Sequence, residues 1–358
     1  MKVAIMGAGL SGLACAITLE RNGISPHIFE KRSDVGDRFI NAELFLSFLT
    51  SPVNNNYQFL AEEHNIFLKP SNLINQLNIH SENKKAIVNE QVGFINIRGR
   101  HKHSFEQQLK QQVSSKIHYQ STFTYEELLK EYSHVILATG DAGYALDLNN
   151  YEVDRSVTLK GATVEGDFKQ SSIYVWFNHK IVPNGYAYVI PFSEKEANIV
   201  IAYPQFSSIQ DEDQMWQNFY DILCSRFNQS LKVTDQFHVK DYLIGRCIYP
   251  RIGNTFFTGN CFGALMPFLG FGQFSSLLTG IYAANDICGE GQYEKLIKPI
   301  RKSYNHSLTL RKAIERTENP TMDKIVSGLD GYWGKKFFKP SKFNSLNTLS
   351  YILRPFMK

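Results

Sequence analysis

Apolar runs and amphipathic stretches alternate from the start of the chain. Residues 2–6 (KVAIM) form a short apolar run, and between Ser11 and Arg21 apolar residues recur at Leu13, Ala16, Ile17 and Leu19, the spacing of one helix face. Gly23 ends that helix and HIF at 27–29 reads as the next strand, which makes one βαβ unit. Between Asn72 and Arg98 the runs NLINQLNIH, KAIVN and GFINIR are short and β-like, and they predict a small antiparallel layer. Phe105 to Val113 reads as a helix, and HVILATG at 134–140 as a buried strand entering a glycine turn. A β pattern dominates from Ser156 to about Tyr203, and Asp211 to Phe227 is helical. NTFFTGN at 254–260 resembles a third returning strand, followed by a glycine-containing loop and a long helix from Ser275 to Ile287. Residues 292–327 read as further helices.

This order predicts an α/β fold: a Rossmann-like nucleotide-binding domain with an inserted antiparallel-sheet substrate domain and a helical C-terminal region. The nucleotide-binding domain is assembled from 1–71, 98–155 and 246–291, with the small layer at 72–97. The substrate domain covers 156–245, and the C-terminal region runs over 292–358.

Composition narrows the function. With 358 residues, 43% of them hydrophobic and 20% charged, the chain is globular and long enough for two lobes. Its 26 Phe and 18 Tyr suggest apolar pockets besides a core. A net charge of +4 is too weak and dispersed for nucleic acid. No apolar stretch approaches the roughly 20 residues that span a bilayer. Five cysteines (Cys15, Cys224, Cys247, Cys261, Cys288) show no CxxC and no zinc spacing, and they read as reduced thiols of a cytoplasmic protein. His101 and His103 lack a third ligand nearby, so no metal is expected. After Asp330 the tail has no acidic residue, and Lys335, Lys336, Lys339, Lys342, Arg354 and Lys358 interleave with aromatics. Such a segment, 331–358, fits a peripheral contact with an anionic membrane surface, or aromatics docked on the body of the protein.

The chemistry starts with Gly7, Gly9 and Gly12, a G-x-G-x-x-G between a strand and a helix. Gly7 permits the tight turn, Gly9 lets backbone approach a pyrophosphate, and Gly12 allows close packing of helix on strand. The anion then meets unpaired N–H groups at the helix start, around Leu10 and Ser11. Glu30, beside Lys31 at the end of the second strand, can accept hydrogen bonds from both ribose hydroxyls of an adenosine and would repel a 2′-phosphate. No nucleophile elbow, HExxH or P-loop lysine is present, which removes hydrolases and kinases.

The start through Glu30, the strand ending Ala138-Thr139-Gly140-Asp141, and TGNCFGALMPFLGFGQFSSLLTGIYAA at 258–284 together resemble FAD-dependent enzymes of the para-hydroxybenzoate hydroxylase type, most of all the geranylgeranyl reductase branch. The resemblance implies FAD, held by Thr139 and Gly140 and by Gly259, Asn260, Pro267, Gly270, Phe271 and Gly272 in addition to the first loop. Asn260 replaces the family's aspartate and keeps hydrogen bonding without the charge. The turn 270–272 would bring backbone donors to the flavin N1 and O2. In GDRFINAE at 36–43, which contains Arg38, the branch's Cys-Gly-Glu is replaced by Asn41-Ala42-Glu43. Arg98 or Arg100 stands for a family arginine near the cofactor. NGYAYVIP at 184–191 matches an aromatic element of reductases and halogenases, and on a strand Tyr186 and Tyr188 share one face, toward flavin or substrate.

The expected activity is hydride transfer between flavin N5 and a carbon–carbon double bond of an apolar, isoprenoid or lipid-like substrate, with Tyr186 or Tyr188 orienting it. An external reductant would be needed: NADPH, ferredoxin or a flavin carrier. The alternatives are a monooxygenase or halogenase-like enzyme acting through a C4a-hydroperoxide, and a non-catalytic flavin-binding homologue.

Overall fold

The computed structural model describes residues 1–50, 53–204 and 211–338. The nucleotide-binding sheet has the order Arg251–Ile252, Thr255–Phe257, His134–Leu137, Val3–Met6, His27–Phe29, Ile117–His118. Its pairs are parallel except at the Arg251–Ile252 edge. The central strand Val3–Met6 is apolar at successive positions because both faces are covered. One cover is the helix Leu10–Arg21, whose residues from Leu10 to Leu19 are all buried. Burying a side chain such as Leu13 or Ile17 contributes about 2 kcal/mol each.

The second sheet has seven strands, in the order Lys232–Cys247, Tyr151–Glu165, Glu196–Pro204, Tyr186–Pro191, Ser172–Trp176, Gln76–His80, Lys85–Val88. A three-stranded sheet, Asn41–Leu46, Gly93–Arg98, Asn72–Ile74, is inserted in chain order between His27–Phe29 and Ile117–His118 of the nucleotide-binding sheet. The stretch 72–97 is therefore not a layer of its own. Its outer strands pair with Asn41–Leu46 or with each other, and its middle pair extends the large sheet. Nor is the large sheet purely antiparallel: Ser172–Trp176 runs parallel to Gln76–His80, residue 172 facing 76 and 176 facing 80. The long strands also overrun the expected span of 156–245 at both ends, starting at Tyr151 and finishing at Cys247.

The helix Glu212–Phe227 covers the outer face of this sheet through Met215, Phe219 and Leu223, with Asp211 as its N-cap accepting from the Asp213 N–H. The C-terminal region is helical: Lys298–Glu315, Asn319–Gly328 and Tyr332–Phe338 follow a short turn of helix at Tyr293–Leu296. Phe337 and Phe338 pack against Phe48, so the described start of the basic aromatic tail docks on the protein itself. Residues 339–358, which carry the rest of the expected membrane-facing tail, lie outside the described residues. Among the described residues no helix is long and apolar enough to cross a membrane.

Candidate functional site

The first glycine loop is shaped by backbone collisions that only glycine avoids. Gly7 has φ +110°, and a Cβ there would lie 2.3 Å from the Ala138 carbonyl oxygen. A Cβ on Gly12 would lie 2.0 Å from the Gly7 oxygen, which seats the helix directly on the turn. Gly9 differs: a Cβ on it would meet nothing within 4 Å, because it borders an open groove. The helix that follows has no side-chain cap and no acidic residue in its first turn, so its leading N–H groups and the positive end of its dipole face that groove.

Across the turn, Glu30 is buried and each of its oxygens accepts one backbone hydrogen bond, from Ala8 N at 2.8 Å and Arg32 N at 2.9 Å. Each oxygen keeps a lone pair for a hydroxyl. Gly7, Glu30, Lys31, Thr139 and Gly140 line an outer compartment of about 350 Å³. It shares Gly9, Arg38, Arg98 and Gly140 with an inner chamber of about 630 Å³. The two make one continuous groove, of the size that small-molecule and cofactor sites have.

Leu10, Ser11, Gly259, Asn260, Pro267, Gly270, Phe271 and Gly272 all line the inner chamber, as do Tyr186 and Tyr188. Gly12 lies beneath the loop as a packing residue and lines neither compartment. Arg100 is not brought to the groove: it is half exposed and paired with Asp235 at 2.5 Å, since the stretch after Arg98 turns outward. Arg98 is the arginine at the site. It bonds Glu106 at 2.7 Å and approaches Glu43 at 3.5 Å. Burial opposes its charge, but Glu106 and Glu43 outweigh that and hold the guanidinium above its usual pKa. The neighbouring Arg38 is pushed down by burial and by Arg98. Its Nε is buried with no hydrogen-bond partner among the described residues.

Asn260 has a role the sequence does not disclose. Its Nδ2 donates to the Gly140 carbonyl at 3.2 Å and to the Tyr242 hydroxyl at 2.6 Å, while Tyr242 donates to the same carbonyl at 3.0 Å. The residue thus ties a lip of the nucleotide-binding lobe to the large sheet. Tyr242 escaped sequence reasoning because its strand reads as ordinary alternation in KDYLIGRC.

Tyr186 and Tyr188 stack at 6.1 Å and both face the chamber. Tyr186 donates to the Leu269 carbonyl at 2.8 Å, and burial pushes its pKa up to about 12. Tyr188 is raised well above the usual value, by burial first and then by Tyr186 and Glu43, and its hydroxyl has no hydrogen bond among the described residues. Both are neutral donors at any working pH. Arg311, from the C-terminal helix Lys298–Glu315, also lines the chamber. The available signal was an arginine on the helix face Ile300, Tyr304, Ser307, Arg311, Ile314, which is otherwise uncharged.

Two features test whether a dinucleotide fits. The open space above Gly9 is a cradle that a Cβ would fill, and the unpartnered Arg38 Nε is a buried donor awaiting an anion or carbonyl. Both fit a long, negatively charged cofactor with an adenosine end at Glu30.

The fold matches that of FAD-binding oxidoreductases. Residues 5–44 match the family described as NAD(P)-binding Rossmann-like domain. No curated protein matches the sequence. Similar solved structures include a geranylgeranyl bacteriochlorophyll reductase-like protein from Thermoplasma acidophilum, 15% identical, with TM-score 0.70 over 98% of this chain and 94% of that one. The flavin-dependent brominase Bmp2 is 13% identical, with TM-score 0.69 over 100% and 98%. A variant of the halogenase PltM in complex with FAD is 11% identical, with TM-score 0.68 over 99% and 83%.

Proposed function

We propose that this protein is an FAD-dependent oxidoreductase of the geranylgeranyl reductase branch, in the para-hydroxybenzoate hydroxylase type, acting on a carbon–carbon double bond of an apolar substrate. The observation that carries the reading is the single groove joining Glu30 and an uncapped helix start to a chamber walled by Tyr188, Leu265 and Phe271. The N–H groups at Leu10 and Ser11 would hold the pyrophosphate, Glu30 the ribose hydroxyls, and the backbone of 270–272 the flavin end. Bound FAD supplies hydride transfer at N5. Tyr186 fixes the turn through Leu269, Tyr188 offers its hydroxyl proton to orient the substrate, and the apolar walls exclude water. Electrons would come from an external donor such as NADPH, ferredoxin or a flavin carrier.

The test is anaerobic titration of the purified protein with FAD, followed by chemical reduction and addition of an isoprenoid alkene. Uptake of FAD and reoxidation by the alkene without oxygen support the reading. No reoxidation by the alkene until oxygen is admitted, with oxygen then incorporated into the substrate, points instead to a monooxygenase, and failure to take up flavin removes the reading altogether.

A further inference from the structure

Arg311 is 4% exposed, yet it lines the chamber of about 630 Å³. Its Nε donates to Glu315 at 2.8 Å and its Nη2 to the Asn184 carbonyl at 3.0 Å, whereas Nη1 has no hydrogen bond among the described residues. The guanidinium carbon lies 5.8 Å from the centre of the Tyr186 ring, which places the charge beside the turn that Tyr186 holds. Glu315 does not neutralise Arg311 alone, because Arg155 also bonds it, at 2.9 and 3.1 Å. Two guanidiniums share the Glu315 carboxylate, so Arg311 is not fully neutralised by it. The remaining lining carries no surplus of negative charge to offset it: Arg38 and Arg98 face Glu43 and Glu106, and Asp37 and Asp141 are accompanied by Lys31 and Arg32. A buried, incompletely neutralised cation in a chamber also lined by Leu265, Leu269 and Phe271 is costly, and an anion brought by a ligand relieves the cost.

We infer that the substrate is an anionic amphiphile whose oxyanion head is bound by Nη1 of Arg311 while its hydrocarbon chain lies along the apolar walls. This rests on the proposed function and narrows its substrate from apolar to amphiphilic. Arg311 is a binding and specificity residue, held in place by Glu315 and Asn184.

The experiment is calorimetric titration of decanoate and of decanol into the full chain, both FAD-loaded and FAD-free. Decanoate should bind about tenfold more tightly than decanol, and Arg311→Met should remove that preference by weakening decanoate alone. The variant leaves Glu315 paired with Arg155, so its melting temperature should stay close to the parent's; Arg311→Lys should restore part of the preference if any fold perturbation intrudes. Equal binding of acid and alcohol by the parent, or a preference that survives in Arg311→Met, overturns the inference. So does a variant that loses FAD affinity while keeping the preference, since the charge would then serve the cofactor. Because the FAD-free arm is read separately, failure of flavin uptake is distinguishable from failure of anion recognition.

Discussion

Tyr186 and Tyr188 stand two positions apart on one strand, yet among the described residues only Tyr186 has a hydrogen-bond partner for its hydroxyl. Tyr186→Phe should cost about 1–2 kcal/mol of stability, because the Leu269 carbonyl loses its donor in a buried turn, and denaturant midpoints will show it. Tyr188→Phe should leave stability and flavin content unchanged and lower kcat about tenfold in steady-state assays. Asn260 makes a contrasting case. An aspartate at this position would remove both donors of the amide and place a carboxylate against the Gly140 carbonyl. Asn260→Asp should therefore weaken FAD binding and stability together, by about 1–3 kcal/mol in unfolding measurements, instead of improving either. Gly9→Ala puts a methyl group into open groove; an unchanged melting temperature with at least a tenfold weaker FAD affinity is the expected pair of results.

At the scale of elements, the parallel seam between Gln76–His80 and Ser172–Trp176 carries its own pH sensitivity. His80 faces Trp176 across the seam, their rings stacked at 5.1 Å, and its Nε2 is buried with no hydrogen-bond partner among the described residues. Burial first, then Arg226 and Lys85, lower its pKa to about 3. The folded chain holds that imidazole neutral while the unfolded chain protonates it near 6.5, so the stability this group contributes is present above pH 6.5 and is lost as pH falls toward 3. Unfolding midpoints at pH 7 and pH 4.5 should diverge by about 2 kcal/mol more for the parent than for His80→Phe, which keeps the stacking and cannot titrate. This seam was also the element least legible in the sequence. Its strands are short, and their parallel pairing joins residue 76 to residue 172 with other strands and helices between, so no local spacing announces it. The glycine loop was legible for the opposite reason: its collisions occur within a strand–turn–helix, and only glycine satisfies them.

The whole molecule is laced together by repeated crossing of the chain between lobes. The segment 41–98 contributes to the three-stranded sheet and to the large sheet before the nucleotide-binding lobe resumes. The C-terminal helix closes the chamber: Ser307 accepts from the Phe268 N–H at 2.8 Å and Arg311 forms part of the wall. Overall composition and strand order pointed to two lobes and a helical end, because burial patterns report which faces are covered. They could not report what covers them, which is why Arg311 and Tyr242 emerged only from the three-dimensional arrangement. The fine division of labour in the groove depends on such long-range partners, whereas its adenosine end depends on neighbours in sequence.

The contact between the helix Leu10–Arg21 and the helix Gln273–Ile287 has a further consequence. A Cβ at Gly280 would fall 2.0 Å from the Ser11 carbonyl, and one at Gly259 2.6 Å from the Ser11 hydroxyl. The start of the first helix is thus seated main chain to main chain against the middle of the second, with the turn at Gly259 pressed on the Ser11 side chain. Main-chain contact leaves little slack between the two helices, so the separation between the first glycine loop and the start of the second helix is set by the scaffold and not by the ligand.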